Sequence, residues 1–194
     1  MRLIRFSQRS NENPLLTREP VLLRQPVIDD FAEWARLRQE SAGFLKPWEP
    51  SWLRDEFTRK SFKARLQQQD ADIRSGRGLH WFIFLRETNT LVGGIALTNI
   101  RKGIAQTGTF GYWMGEDFAG KGYMKQAVLA VCDHAFGEMK LHRLEAATVV
   151  RNERSQGLLK ACGFSEEGLA RRYLKINGEW EDHILFAKLS DDHL

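Results

Sequence analysis

Gly115-Glu-Asp-Phe-Ala-Gly-Lys-Gly122 is the stretch whose residue types and spacing most directly suggest chemistry. Its glycines let the backbone turn sharply and line up successive N–H donors. The apolar-periodic segment that follows makes its far end the start of a helix, where the aligned peptide dipoles favour an anion. A Gly-rich connection that only redirects the chain is the plain alternative, and two sharper readings compete with it. Read as a P-loop, Gly115-x4-Gly120-Lys121 ends on Gly122, where a nucleotide triphosphatase needs Ser or Thr to hold magnesium. No later strand ends in an acid suited to the metal either, since the apolar run before Asp133 has helical spacing. The NTPase reading therefore fails on chemistry. A pyrophosphate cradle that needs no metal is left, as for coenzyme A.

Nucleophilic catalysis finds little support. Cys132 lies on the apolar stripe of the helix after the loop, and Cys162 precedes a helix-ending glycine, so both read as buried structural thiols. His80, His142 and His183 each stand alone at a strand or helix edge, which is the usual setting of a structural histidine. No Ser/His/Asp constellation is readable. No C-x-x-C or clustered Cys/His spacing suggests a metal.

The elements that position the loop follow from periodicity. Met124, Ala127, Val128, Val131, Cys132, Ala135 and Phe136 recur at steps of three and four, which predicts a long helix directly after it. Gly108–Met114 reads as the strand entering the loop. Trp81–Leu85 and Leu91–Leu97, split by a turn at Thr88–Thr90, read as a β-hairpin. Leu144–Val150 is a strand, Asn152 opens a short helix ending at Gly163, and Asn177-Gly178 joins two final strands in a tight turn. Nearer the N-terminus, Val21–Arg24 suggests a strand and residues 28–40 a helix with Asp29-Asp30 at its positive end. Two prolines make Phe44–Pro50 a rigid irregular loop, and residues 55–73 a second helix. The expected fold is mixed α/β (α+β), a single domain with a largely antiparallel twisted sheet flanked by helices.

Composition narrows the classes. The 194 residues carry 29 Lys plus Arg against 25 Asp plus Glu, with 42% apolar content, enough for a sizeable core and too much for a disordered chain. Two cysteines cannot make a disulfide framework, which fits a reducing, cytoplasmic setting. No apolar run suggests a signal peptide or a membrane span. A net charge of +4 favours acidic ligands without making direct nucleic-acid binding a primary role.

A strand, a phosphate loop, a long helix, a strand and an Asn-opened helix ending in Gly-Phe together resemble the GNAT superfamily of acyl-CoA N-acetyltransferases. The loop consensus Gln/Arg-x-x-Gly-x-Gly/Ala is met in part by Ala119-Gly-Lys-Gly122-Tyr-Met124, with Gly122 on the central glycine and Ala119 and Met124 departing from the outer positions. Asn152-Glu-Arg-Ser155 through Cys162-Gly-Phe164 matches the second motif, and Asn152 also suits a plain N-cap. Phe44–Pro50 and Tyr173-Leu-Lys-Ile-Asn-Gly-Glu-Trp180-Glu-Asp-His183 narrow the likeness to the Rim branch, the RimJ-type ribosomal-protein N-acetyltransferases, over roughly residues 18–190. Residues 1–17 are then an N-terminal extension.

The resemblance implies acetyl-CoA as co-substrate, no metal, and direct attack by an amine in a ternary complex. It implies that Ala119, Gly120, Lys121, Gly122, Tyr123, Met124 and Asn152 bind the cofactor, with the backbone amides of Trp113, Met114 and Gly115 on the pantetheine and carbonyl. Many relatives place a tyrosine seven residues after the asparagine to protonate the leaving thiolate. Leu159 stands there, so Ser155 takes over as the expected acid. Glu49 and Tyr112 are the candidates for handling the amine and its proton, and Trp48, with Trp52, for facing the acceptor. The acceptor implied is a protein N-terminus, plausibly ribosomal. A small amine or antibiotic, or a CoA-binding module without catalysis, are the competing readings.

Overall fold

A computed structural model describes residues 13–192. In chain order the elements are β1 (Leu16–Arg18), β2 (Val21–Arg24), α1 (Phe31–Glu40), α2 (Ala42–Leu45), α3 (Arg59–Arg74), β3 (Leu79–Leu85), β4 (Thr90–Arg101), β5 (Thr107–Met114), α4 (Tyr123–Gly137), β6 (Arg143–Val149), α5 (Glu153–Ala161), β7 (Ser165–Ile176) and β8 (Glu179–Leu189). The strands form one sheet in the order β1-β2-β3-β4-β5-β6-β8-β7. Every neighbouring pair is antiparallel except β5 and β6, which run parallel. This is the mixed, largely antiparallel sheet with flanking helices that the sequence predicts.

Alternation along the strands sorts side chains onto two faces. Trp81, Ile83, Leu97, Phe110, Leu144, Ala146 and Phe186 share one core with Ala127, Val128, Val131 and Ala135 of α4. Those four α4 residues are fully buried, as their helical spacing requires. On the opposite face Phe82, Phe84 and Leu91 pack with Trp34 of α1 and Phe62 of α3. Trp34 and Phe62 meet with ring centroids 4.8 Å apart.

Four local differences from the sequence reading have physical reasons. Strand β1 is too short to show a period, and it straddles the expected boundary at residue 17. The Phe44–Pro50 segment is not irregular throughout: its first part is α2, followed by a 3₁₀ turn at Lys46–Trp48 that accepts Pro47 because the first turn needs no N–H there. Helix α3 starts at Arg59 rather than 55, where Thr58 Oγ1 accepts from Ser61 N at 3.2 Å. Residues 28–30 form a 3₁₀ turn, and Asp30 is taken by the Arg24 guanidinium at 2.6 and 2.9 Å rather than left to a helix dipole.

Candidate active site

Strand β5 carries the site because it loses its neighbour halfway along. Gly115 N–H donates to Val92 O at 2.9 Å. Bonded pairs alternate in an antiparallel ladder, so Trp113 and Gly111 also bond β4, while Phe110, Tyr112 and Met114 turn their N–H and C=O groups away from it. On that side β6 pairs only with Thr107–Thr109. Past that point the strands part, leaving the polar backbone of Tyr112 and Met114 facing a gap. Of the three amides expected to act together, only that of Met114 is free to do so, since those of Trp113 and Gly115 are spent in the ladder.

A cavity of about 1270 Å³ fills the gap and is lined from both faces of the sheet. On the helix side its wall is the loop and the first turn of α4. Gly120 and Gly122 adopt φ of +75° and +84°, the left-handed region, and an added Cβ on either would meet nothing within 4 Å. Gly122 sits at the N-cap of α4, whose first-turn N–H groups have no partner within the helix. Ala119, Gly120, Gly122, Tyr123 and Met124 line the cavity, whereas Lys121 does not and lies over the Phe118 ring. Lys125 and Arg154, which sequence reasoning passed over, also line it. Their signal was available: each follows an anion-favouring helix start by a residue or two.

Asn152 is the N-cap of α5, accepting from Ser155 N at 3.2 Å. That cap turns Ser155 Oγ toward β5, where it hydrogen-bonds Tyr112 Oη at 2.7 Å. Burial raises the phenol's pKa well above the ordinary tyrosine value, against the opposing effect of the Ser155 hydrogen bond. Tyr112 therefore stays protonated and can donate, which removes it as a resting base. Leu159 is fully buried in the core shared with α4. Burial also pushes the thiols of Cys132 and Cys162 up to about 12 and about 11, which leaves both unreactive.

On the other face the wall is Phe44, Pro47, Trp48 and Glu49 from the α2 segment, with Leu174–Ile176 of β7 and His183 of β8. Glu49 proves to be an anchor. Its two oxygens accept from Arg38 at 2.8 and 2.6 Å, and Trp52 Nε1 donates to it at 2.7 Å. Its backbone carbonyl accepts from Asn177 N at 2.8 Å, tying the segment to the β7–β8 turn. Three of the carboxylate's roughly four acceptor positions are thus taken up in holding the segment in place. Trp52 packs edge-on against Phe57 and under Arg38, away from the cavity, so of the two tryptophans only Trp48 lines it. His80 pairs with Asp72 at 3.4 Å, and His142 sits by Ser190 on an exposed edge; neither lines the cavity.

A family model described as an acetyltransferase (GNAT) domain matches residues 21–165. The chain is 34% identical over 178 residues to the probable N-acetyltransferase YjcK of Bacillus subtilis (strain 168), covering 92% of this chain and 98% of that protein. It is 32% identical over 192 residues to the ribosomal protein uS5-alanine N-acetyltransferase of Escherichia coli (strain K12), covering 96% and 97%. Among solved structures it is similar to Mycobacterium smegmatis RimJ in complex with CoA-disulfide, with a TM-score of 0.86 and 32% identity over 92% of this chain and 88% of that one.

Proposed function

We propose that this chain, which belongs to the GNAT acetyltransferase family, transfers acetyl from acetyl-CoA to the N-terminal amine of a protein, of the ribosomal-protein alanine type, by direct attack in a ternary complex. One observation carries the reading. The cavity is lined from both faces of the sheet through the gap beside Met114, so a thioester held on the helix side and an amine entering from the other side converge on one strand edge. The relative named for uS5-alanine acetylation, aligned over nearly both full lengths, supports the acceptor class. Elementary acid–base chemistry agrees, because an α-amine has a pKa of ~7.7–8.0 against ~10.4 for a lysine and is partly unprotonated near neutrality.

Acetyl-CoA supplies an activated acyl carbon and a thiolate leaving group. The free backbone of Tyr112 and Met114 suits the two amides of a pantetheine arm, and the N-terminus of α4 with Gly120, Gly122, Lys125 and Arg154 suits its phosphates. The N–H of Met114 is the donor for the acyl oxygen; an oriented donor of this kind is worth ~3–4 kcal/mol where charge develops. The Tyr112–Ser155 pair holds a proton for the departing sulfur. Trp48 forms the wall that the acceptor meets. Cys132 and Cys162, buried as free thiols, suit the reducing cytosol in which such an acceptor is made.

The test is a panel of Ala- and Ser-starting peptides against free amino acids and polyamines, with titration of acetyl-CoA alongside. Turnover on the peptides is expected. Turnover only on small amines would overturn the protein-acceptor reading, and tight acetyl-CoA binding without any turnover would make the chain a binding module.

A further inference from the structure

His183 is buried at 2% exposure yet lines the cavity. Its place in the sheet decides which side it faces. On β8, Ile184 and Phe186 stand opposite Thr148 and Ala146 of β6, and both of these β8 residues face the core under α4 and α5. His183 stands opposite Val149, one residue out of that phase, so it points to the opposite face. It shares that side with Trp48 and the α2 segment, across the gap from the Tyr112–Ser155 pair.

Two contacts hold the ring. Nδ1 lies 2.9 Å from Glu181 O, and a carbonyl only accepts, so Nδ1 carries a proton and the neutral ring's lone pair is on Nε2. Tyr173 covers the ring edge-on, with centroids 5.7 Å apart. That cover is built by a bulge: between the pairs Ala170↔His183 and Leu174↔Glu181, β7 spends three residues where β8 spends one. Arg172 takes φ of +48° there, and its N–H donates to Asp182 Oδ1 at 2.8 Å. Bulges of this kind re-aim side chains. Nε2 has no hydrogen-bond partner among the described residues, and the ring lines the cavity.

We infer that His183 Nε2 is the proton acceptor for the incoming amine, a role that rests on the acetyl-transfer reading above. As the amine nitrogen bonds the acyl carbon it gives up a proton to Nε2. The electron pair of the breaking C–S bond stays with sulfur, which takes its proton from the Tyr112–Ser155 pair. Acceptor and donor thus stand on opposite faces of the sheet, and neither can short-circuit the other. Glu49 on the same wall is held by Arg38, and among the described residues His183 is the histidine that lines the cavity.

The experiment compares wild type with His183→Asn and His183→Ala. Asparagine can keep a donor toward Glu181 O while lacking Nε2. Expected are a fall in kcat of roughly 100-fold or more, the usual scale of general base catalysis, an acetyl-CoA Kd close to wild type, and partial recovery of His183→Ala by added imidazole. Turnover of His183→Asn close to wild type, or a loss matched by equal weakening of acetyl-CoA binding, overturns the assignment and leaves acetyl transfer standing. A wild-type protein that acetylates no amine overturns both.

Discussion

Replacing Glu49 by Gln separates an anchor from a group that grips the incoming amine. Arg38 and Glu49 are 7% and 19% exposed at their side chains, and the carboxylate accepts both guanidinium donors and Trp52 Nε1. The guanidinium is stacked between Trp52 and Trp113, each 4.9 Å from it, so it has no water to turn to. The amide of Gln keeps one acceptor, loses the charge and points an N–H at a cation. Removing one partner of a buried pair costs about 3–5 kcal/mol. At roughly 2–4 °C per kcal/mol for a chain of this size, melting should fall by about 6–20 °C. Because the carboxylate holds the segment beside Trp48 to Arg38 of α1, and Trp48 lines the acceptor wall, KM for the acceptor should rise while kcat at saturation changes little. Differential scanning calorimetry and steady-state kinetics on the same preparation read both quantities. The double variant Arg38→Met with Glu49→Leu should recover most of the stability, since neither charge is then stranded. A Glu49→Gln protein that melts with wild type yet loses kcat would refute the anchor and restore Glu49 as a group that grips the incoming amine.

The remaining expectations are shorter. Tyr112→Phe and Ser155→Ala should each lower kcat, by roughly 100-fold for the larger of the two, and the double variant should be no worse than that one because the two hydroxyls act as a unit; additive losses in the double-mutant cycle would break the pair apart. Gly122→Ala forces a side chain to φ of +84°, costing about 1–2 kcal/mol; calorimetry should find lower stability, and titration a weaker acetyl-CoA affinity. Cys132 and Cys162 should resist a thiol reagent in the native protein at mild alkalinity and react together once urea unfolds it; prompt native labelling would contradict their burial. The raised pKa of Tyr112 and of both thiols means that the folded state binds their protons more tightly than the unfolded one. Stability from these groups is full below their ordinary values of 9.0 and 10.0 and is lost as pH rises above them, which urea titrations at increasing alkalinity would measure.

What the sequence made legible was local. The α4 stripe, the Asn152 cap and the Asn177-Gly178 turn are each written within a few neighbouring residues, where helical or turn geometry leaves little choice. The loop could be read as an anion cradle for the same reason. Pairings across the chain were hidden. Tyr112 and Ser155 are 43 residues apart and meet only because α5 lies under the parted end of β5. Glu49 reads as a free acid until Arg38 is brought beside it by the turn after α1. His183 reads as an ordinary edge histidine, because its orientation depends on strand phase and on a β7 bulge that no dipeptide announces. The spent amide of Gly115 depends on the register of β4, which is set by packing rather than by any motif.

The parting of β5 from β6 has a consequence for how the molecule unfolds. Among the described residues β5 meets β6 over Thr107–Thr109 alone, so the sheet is closed at one end and open at the other like a clothes-peg. A ligand with amides along its length, lying in the open end, would supply the rungs the ladder lacks. It would then stiffen the open end of a sheet whose two portions already share one core under α4, raising the cost of local opening there. Amide exchange at Tyr112 and Met114 would slow in step with that at Ala147 across the gap, the mark of a sheet completed by something that is not protein.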